Sequence, residues 1–161
     1  MKVARQTPAT EKVTPQPGSS FATERVVGPV LDCEYHLHPE YEITYVDGGC
    51  GTRLVGDNVS FFEEGDLLMI GSGIPHLYHS NEADSLSATW ARSRVLKFSA
   101  SCLGPGFFEI PEMRAVKKLL ARACKGLQFH PPASLRAGGL IERLFEERSE
   151  AQRIILFLEL L

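Results

Sequence analysis

Between residues 24 and 98 the chain turns too often to hold anything but short strands. Runs rich in β-branched and aromatic residues occupy 24–27, 31–38, 41–46, 52–55, 59–62, 66–70, 76–79, 86–91 and 94–98. Between them stand Asp47-Gly48-Gly49, Gly56-Asp57-Asn58, Glu64-Gly65-Asp66, and Gly71-Ser72-Gly73 ahead of Pro75. Gly, Asp and Asn tolerate the left-handed backbone that tight turns demand. Many short strands at such spacing predict an antiparallel sandwich or barrel.

Near residue 100 the period changes. Pro111 suits a helix start, and Met113, Val116, Leu120, Ala123 and Leu127 recur at the spacing of one helix face. Lys125 and Gly126 fit the end of that helix. A second helix is expected from Ser134, carrying Leu140, Ile141, Leu144 and Phe145 inward, with Gly138 and Gly139 weakening its first turns. Ser149 and Gln152 have capping-box spacing and open a third helix. Its run 154–161 is apolar almost all round, so something must bury it. This run and the face of the 112–125 helix carry more apolar surface than one barrel covers, which predicts a homodimer through the helices.

The 161 residues fit one domain plus a helical appendage, and 43% hydrophobic with 23% charged residues is ordinary for a chain with a real core. Residues 1–20 are rich in Thr, Pro, Gln and Ser and read as a flexible tail. Residues 21–100 form the barrel and 101–161 the helical segment. The formal net charge of −3 supplies no overall positive field, so this chain is a poor binder of DNA unaided. Residues 1–14 lack the apolar core of a signal peptide, and no run is long enough to span a membrane, so a cytoplasmic protein is expected. Cys33, Cys50, Cys102 and Cys124 show no C-x-x-C spacing and read as small buried or half-buried apolar residues with reduced thiols.

The chemistry-bearing stretch is His36-Leu37-His38-Pro39-Glu40-Tyr41-Glu42. Residues two apart on a strand face the same side, so His36 and His38 converge, and the bend at Pro39 brings Glu42 round. His76 follows the glycine turn at 71–73 and enters from a neighbouring strand. Three imidazoles and a carboxylate suit one divalent metal ion: zinc, nickel, iron, manganese or copper. The same side chains also suit hydrogen bonding to a small molecule. His79 and His130 have no partner by spacing and read as surface histidines. Trp90, Tyr45 and Phe61 read as core aromatics rather than stacking platforms, and Arg53 as a solvated edge charge rather than a partner for an anion.

These two segments resemble the paired motifs of the cupin superfamily. The first supplies His36, His38, Glu42 and Gly49; the second runs from Gly65 to Gly73 and His76, with Gly71 where cupins usually have proline and Ser80 where they often have asparagine. The H-x-H-P-E-Y-E opening, the Gly51–Asp57 hairpin and the G-D-L-L-M-I ending through Pro75-His76 are similar to the cupin domain of AraC-type transcription regulators. The similarity continues through the segment from Val95 to Phe129 and covers roughly residues 31–161. The resemblance implies a mainly β, cupin-type double-stranded β-barrel (jelly roll) followed by C-terminal α-helices. It implies a small-molecule effector in the barrel, no catalytic residues, and DNA contact only through helix-turn-helix units that this chain lacks. Because the chain stops inside an apolar helix, it reads as a piece of a longer regulator. The alternative is a metal-dependent cupin enzyme, a dioxygenase or isomerase, built on the same three histidines and one glutamate.

Overall fold

The structure, a computed structural model, describes residues 7–80 and 90–161. Two five-stranded sheets form the body. One is built from β1 (Ala9–Thr10), β3 (His36–Leu37), β8 (His76–His79), β5 (Gly51–Val55) and β6 (Asn58–Phe62), in that order. The other runs β10 (Leu127–Phe129), β7 (Leu67–Ile70), β4 (Tyr41–Gly48), β9 (Ala91–Phe98) and β2 (Ala22–Gly28). Three helices follow: α1 (Arg114–Arg122), α2 (Ala133–Glu146) and α3 (Glu150–Leu160). This is the expected mainly β, jelly-roll architecture with C-terminal helices. The strand expected at 86–91 lies largely outside the described residues. No helix among the described residues is long and apolar enough to cross a membrane.

The central strand β7 is buried on both faces, and this explains why it reads Leu-Leu-Met-Ile with no polar alternation. Val46, Leu68, Ile70 and Ala91 point inward, meeting Val55, Phe62 and Tyr78 of the first sheet. Ile43, Leu67, Met69, Leu96 and Phe98 point outward and pack under Leu120, Ile141, Leu144, Leu156 and Phe157 of the helices. The run 154–161 is thereby half covered: Leu156 and Phe157 are buried, Phe157 stacking on Phe21, while Ile155 stays 54% exposed. The Ser149 hydroxyl caps α3 by accepting from the Gln152 amide at 3.4 Å.

Several expectations are corrected. Leu127 does not extend the α1 face. Gly126, at φ +68°, ends the helix, and residues 127–129 pair with the free edge of β7. That edge offers unpaired backbone groups, a driving force the helical period does not reveal. Residues 7–20 are laid along the barrel rather than left loose. Ala9 and Glu11 amides donate to the Tyr35 and Leu37 carbonyls at 2.9 Å, and the Gln16 amide bonds Thr23 at both ends. A segment with little apolar surface is held here through its backbone. Of the expected strand 31–38, only His36–Leu37 is ladder; Asp32 bridges to His79.

Arg53 is no solvated charge. It is 2% exposed and forms a buried ion pair with Asp66, while its Nε donates to Ser60 Oγ at 3.1 Å. Gln128 donates to the other Asp66 oxygen at 2.8 Å. Phe61 and Trp90, expected in the core, are 83% and 61% exposed; Phe61 lies on the edge strand β6 with its ring turned out. Cys50 and Cys124 are likewise exposed rather than buried.

Gly71 and Ser80 replace residues usual in the motif, and both replacements have a local reason. The Gly71 amide donates to the Ala123 carbonyl at 3.0 Å, a bond proline cannot make, and a Cβ there would stand 2.7 Å from that oxygen. The Ser80 amide donates to the Leu31 carbonyl at 2.7 Å, and its hydroxyl accepts from the Leu31 amide at 3.1 Å.

The paired glycines of α2 differ in kind. A Cβ on Gly138 would come within 2.7 Å of the Tyr45 ring and hydroxyl, whereas one on Gly139 meets nothing. Gly139→Ala is therefore expected to stabilise the protein by roughly 0.5–1 kcal/mol through helix propensity, and Gly138→Ala to destabilise it. Urea unfolding of the two variants decides this; equal shifts of one sign would contradict the packing described.

Candidate metal and effector site

The cross-strand register of β3 on β8 sets His36 directly opposite His76. Their ring centroids are 4.2 Å apart, and the His38 ring lies 5.2 Å from His76 and 5.8 Å from His36. His38 sits just past β3, where the Gly73 amide holds its carbonyl at 2.8 Å, so the two motifs are joined by backbone. Glu42 comes from β4 of the opposite sheet, on the inward set of that strand. One ligand atom from each of His36, His38, Glu42 and His76 lies within 4.8 Å of all the others. His38, Glu42 and His76 are buried; His36 is half-buried.

The imidazoles are held in a common way. His36 Nδ1 lies 2.7 Å from the Glu34 carbonyl oxygen, His76 Nδ1 2.8 Å from that of Ile74, and His38 Nδ1 3.2 Å from that of Glu40. A carbonyl only accepts, so each Nδ1 carries a ring proton, and each Nε2 is turned into the cluster. Glu42 Oε2 lies 3.1 Å from His38 Nε2 and 3.4 Å from His76 Nε2, and the latter nitrogen has no hydrogen-bond partner. With the rings neutral, acceptors face acceptors around one point. Only positive charge inside the cluster, a proton or a cation, reconciles them.

The surrounding charges agree with this. Burial opposes ionisation of Glu42, yet His38, His76 and Lys97 outweigh it and hold the carboxyl well below its ordinary range. Burial pulls His76 down, but Glu42 more than compensates and raises it; burial prevails at His36, which is lowered. The Thr44 hydroxyl donates to Glu42 Oε1 at 2.6 Å and fixes the carboxylate rotamer. The donor set of three imidazole nitrogens and an ionised carboxylate, each oriented by an outer hydrogen bond, fits a divalent metal ion.

The cluster opens into a cavity of ≈ 360 Å³ between the sheets. Val26, Leu31 and Val95 form its apolar wall; its polar wall includes Thr44, Tyr78, Ser93 and Lys97 together with the carboxylates of Glu11, Glu24, Asp32 and Glu34. The size suits a small organic molecule. Lys97 is the one cationic side chain among the lining residues, with Nζ 3.8 Å from Glu42 Oε2. Burial lowers it, but Glu42 and Glu11 more than offset this and raise it. Sequence reasoning missed it, although Leu96 and Phe98 flank it on the outward set of β9 and so point Lys97 the other way. Thr44, Tyr78 and Cys33 were missed for the same reason. Arg53, Trp90, Tyr45 and Phe61 do not line this cavity, and His79 pairs on the surface with Asp32 at 2.9 Å.

Comparison with protein families gives one assignment: the chain belongs to the AraC-like ligand binding domain family, which matches residues 21–159. No curated protein sequence matches. Among solved structures, a cupin 2 conserved barrel domain protein from Salinispora arenicola shares 18% identity over 58% of this chain and 76% of that one, with a TM-score of 0.45. Bacillus subtilis oxalate decarboxylase, described with Mn(II) centres, shares 24% identity over 50% of this chain, with a TM-score of 0.41. This chain spans 22% of the decarboxylase. The family assignment covers the expected cupin-like barrel and the helices behind it.

The cavity wall includes Cys33, whose thiol burial pushes up to about 11; burial does the same at Cys102, also to about 11. At pH 8 only about one thiol in a thousand at such a site is thiolate, the reactive form. Iodoacetamide at pH 8, followed by mass spectrometry, is expected to label Cys50 and Cys124 first and Cys33 and Cys102 far more slowly. Equal labelling of all four would contradict the packing around Cys33.

Proposed function

We propose that this chain is the sensing domain of an AraC-type transcription regulator. Its barrel holds a divalent cation through His36, His38, Glu42 and His76, and the cavity beside that cluster receives a small-molecule effector. The observation that carries this reading is the ring of acceptors converging at the base of a ligand-sized cavity. A bound cation supplies positive charge and an exchangeable position for an oxygen or nitrogen of the effector. The chain's own residues do the rest. Thr44 and the three backbone carbonyls orient the ligating side chains, Lys97 offsets the carboxylate charge of Glu11 and Glu42, and Val26, Leu31 and Val95 offer the effector an apolar wall.

The metal reading is tested on protein purified without an affinity tag. Elemental analysis is expected to find a bound divalent metal, and a chelator to lower the melting temperature. Zinc or nickel at a hundredfold excess over its Kd should return about 2.7 kcal/mol of stability. His76→Ala should abolish both the metal and the chelator-sensitive part of the melt. A wild-type chain that carries no metal and melts unchanged with added zinc or nickel would make the histidines polar lining of the effector cavity. The sensing role would then stand without a cation.

The regulator reading includes a homodimer through the helices. Ile155 on α3 and Leu135 on α2 are exposed, and Leu158, one turn beyond Ile155, is only half covered. An apolar groove of ≈ 380 Å³ lies between α1 and the ends of α2 and α3, lined by Ile43, Met69, Leu119 and Leu160 among others. Light scattering is expected to give a dimer, and Ile155→Glu a monomer with unchanged circular dichroism. A wild-type monomer at high concentration defeats this assembly.

A further inference from the structure

We infer that the effector of the barrel cavity is an organic cation: a small amine whose ammonium sits among the carboxylates of the cavity mouth and whose apolar body lies inside. This rests on the reading of the cavity as an effector site, and it holds whether or not the histidine cluster carries a metal.

The charge of the wall is lopsided. With the histidine cluster and its Glu42 set aside, Glu11, Glu24, Asp32 and Glu34 line the cavity against Lys97, the one lysine or arginine among the lining residues. Four carboxylates and one ammonium give a formal net charge of −3. A divalent ion at the cluster, counted together with Glu42, adds one positive charge and leaves the wall negative.

Lys97 is not available to an anion. Its Nζ donates to both Glu11 oxygens, at 2.7 and 2.8 Å, and lies 3.8 Å from Glu42 Oε2 and 4.0 Å from Glu24 Oε2. A carboxylate or phosphate on the effector would have to displace Glu11 and would then meet Glu24 and Glu42 beside the same nitrogen. Such like-charge juxtaposition is how a binding site rejects the wrong partner.

Glu24 and Glu34 are the carboxylates left for a ligand. Asp32 is bonded to His79 on the surface at 2.9 Å. Glu24 is exposed and comes no closer than 4.0 Å to Lys97, and Glu34, also exposed, pairs with no cation among the described residues. Both are acceptors, and an ammonium brings three donors and no acceptor. Deeper in, Tyr78 is only 7% exposed, yet its hydroxyl has no hydrogen-bond partner among the described residues. Val26, Leu31 and Val95 supply the apolar wall of the ≈ 360 Å³ space. The matching ligand has an ammonium at one end, an apolar body, and an oxygen or nitrogen that meets the Tyr78 hydroxyl.

The test uses the whole chain and three probes of one shape: para-methoxybenzylamine, para-methoxybenzyl alcohol and para-methoxybenzoate. Binding is followed by NMR, with chelator present so that coordination of the amine to a metal does not contribute. The amine is expected to bind best and to shift the Leu31 and Val95 amides, the alcohol to bind more weakly, and the benzoate not to bind. Glu24→Gln and Glu34→Gln should each weaken the amine by roughly two- to fivefold, the range of an exposed ion pair, and leave the alcohol unchanged. Both positions are exposed, so the melting temperature should stay at the wild-type value. Added salt should weaken the amine and not the alcohol. Tyr78→Phe, which keeps the ring, should weaken amine and alcohol alike. Equal, salt-insensitive binding of amine and alcohol, or tighter binding of the benzoate, would overturn the cationic class and leave the effector cavity standing. Binding of none of the three, with the Leu31 and Val95 amides unmoved, would overturn both.

Discussion

The central strands β7, β4 and β9 are covered on both faces, by the first sheet and by the helices, and the helical packing and the cavity both depend on that. They alternate with period two, so one residue set holds the helices and the next holds the cavity. On β4, Tyr41, Ile43 and Tyr45 serve the helical layer while Glu42, Thr44 and Val46 serve the interior. On β9, Leu96 and Phe98 face out and Ser93, Val95 and Lys97 face in. A register slip of one residue would bring Glu42 and Lys97 under α2 and α3 and drive phenylalanine into the site, so the packing of the helices and the composition of the cavity are enforced by one alignment.

Within that frame the polar interior is tolerable because nearly every buried group is oriented by a fixed partner. The imidazoles are pinned at Nδ1 by backbone carbonyls two residues away, and Glu42 by Thr44. At the cavity, His76 Nε2 and the Tyr78 hydroxyl have no hydrogen-bond partner among the described residues, which is where a ligand-binding protein stores its demand for one. The Arg53–Asp66 pair with Ser60 and Gln128 is a second buried polar network, and its role differs. It ties β5, β6, β7 and β10 together away from the cavity.

Much of this was legible in the sequence because local rules carried it. The glycine turns cut the strands, Ser149 announced α3, and the spacing of His36, His38 and Glu42 with His76 beyond a glycine turn gathered the cluster. What was not legible depended on partners distant in sequence. Leu127 has a helical period but meets an unpaired β7 edge. Arg53 looks like a surface charge until Asp66 is brought beside it. Residues 7–20 lack apolar surface and are held by backbone bonds to β3, which composition does not register. Lys97 was the missed residue with a usable signal, since two outward aromatic or aliphatic neighbours already assign it to the interior.

The bond from the Gly71 amide to the Ala123 carbonyl, together with the β10–β7 ladder, stitches the helical segment to the strand that pairs with Glu42. The cavity layer and the end of α1 share a backbone seam. Moving the end of α1 away from the cavity layer would have to break several hydrogen bonds at once. Proline at position 71 would cut a stitch in that seam and uncouple the layers while leaving the ligating side chains untouched.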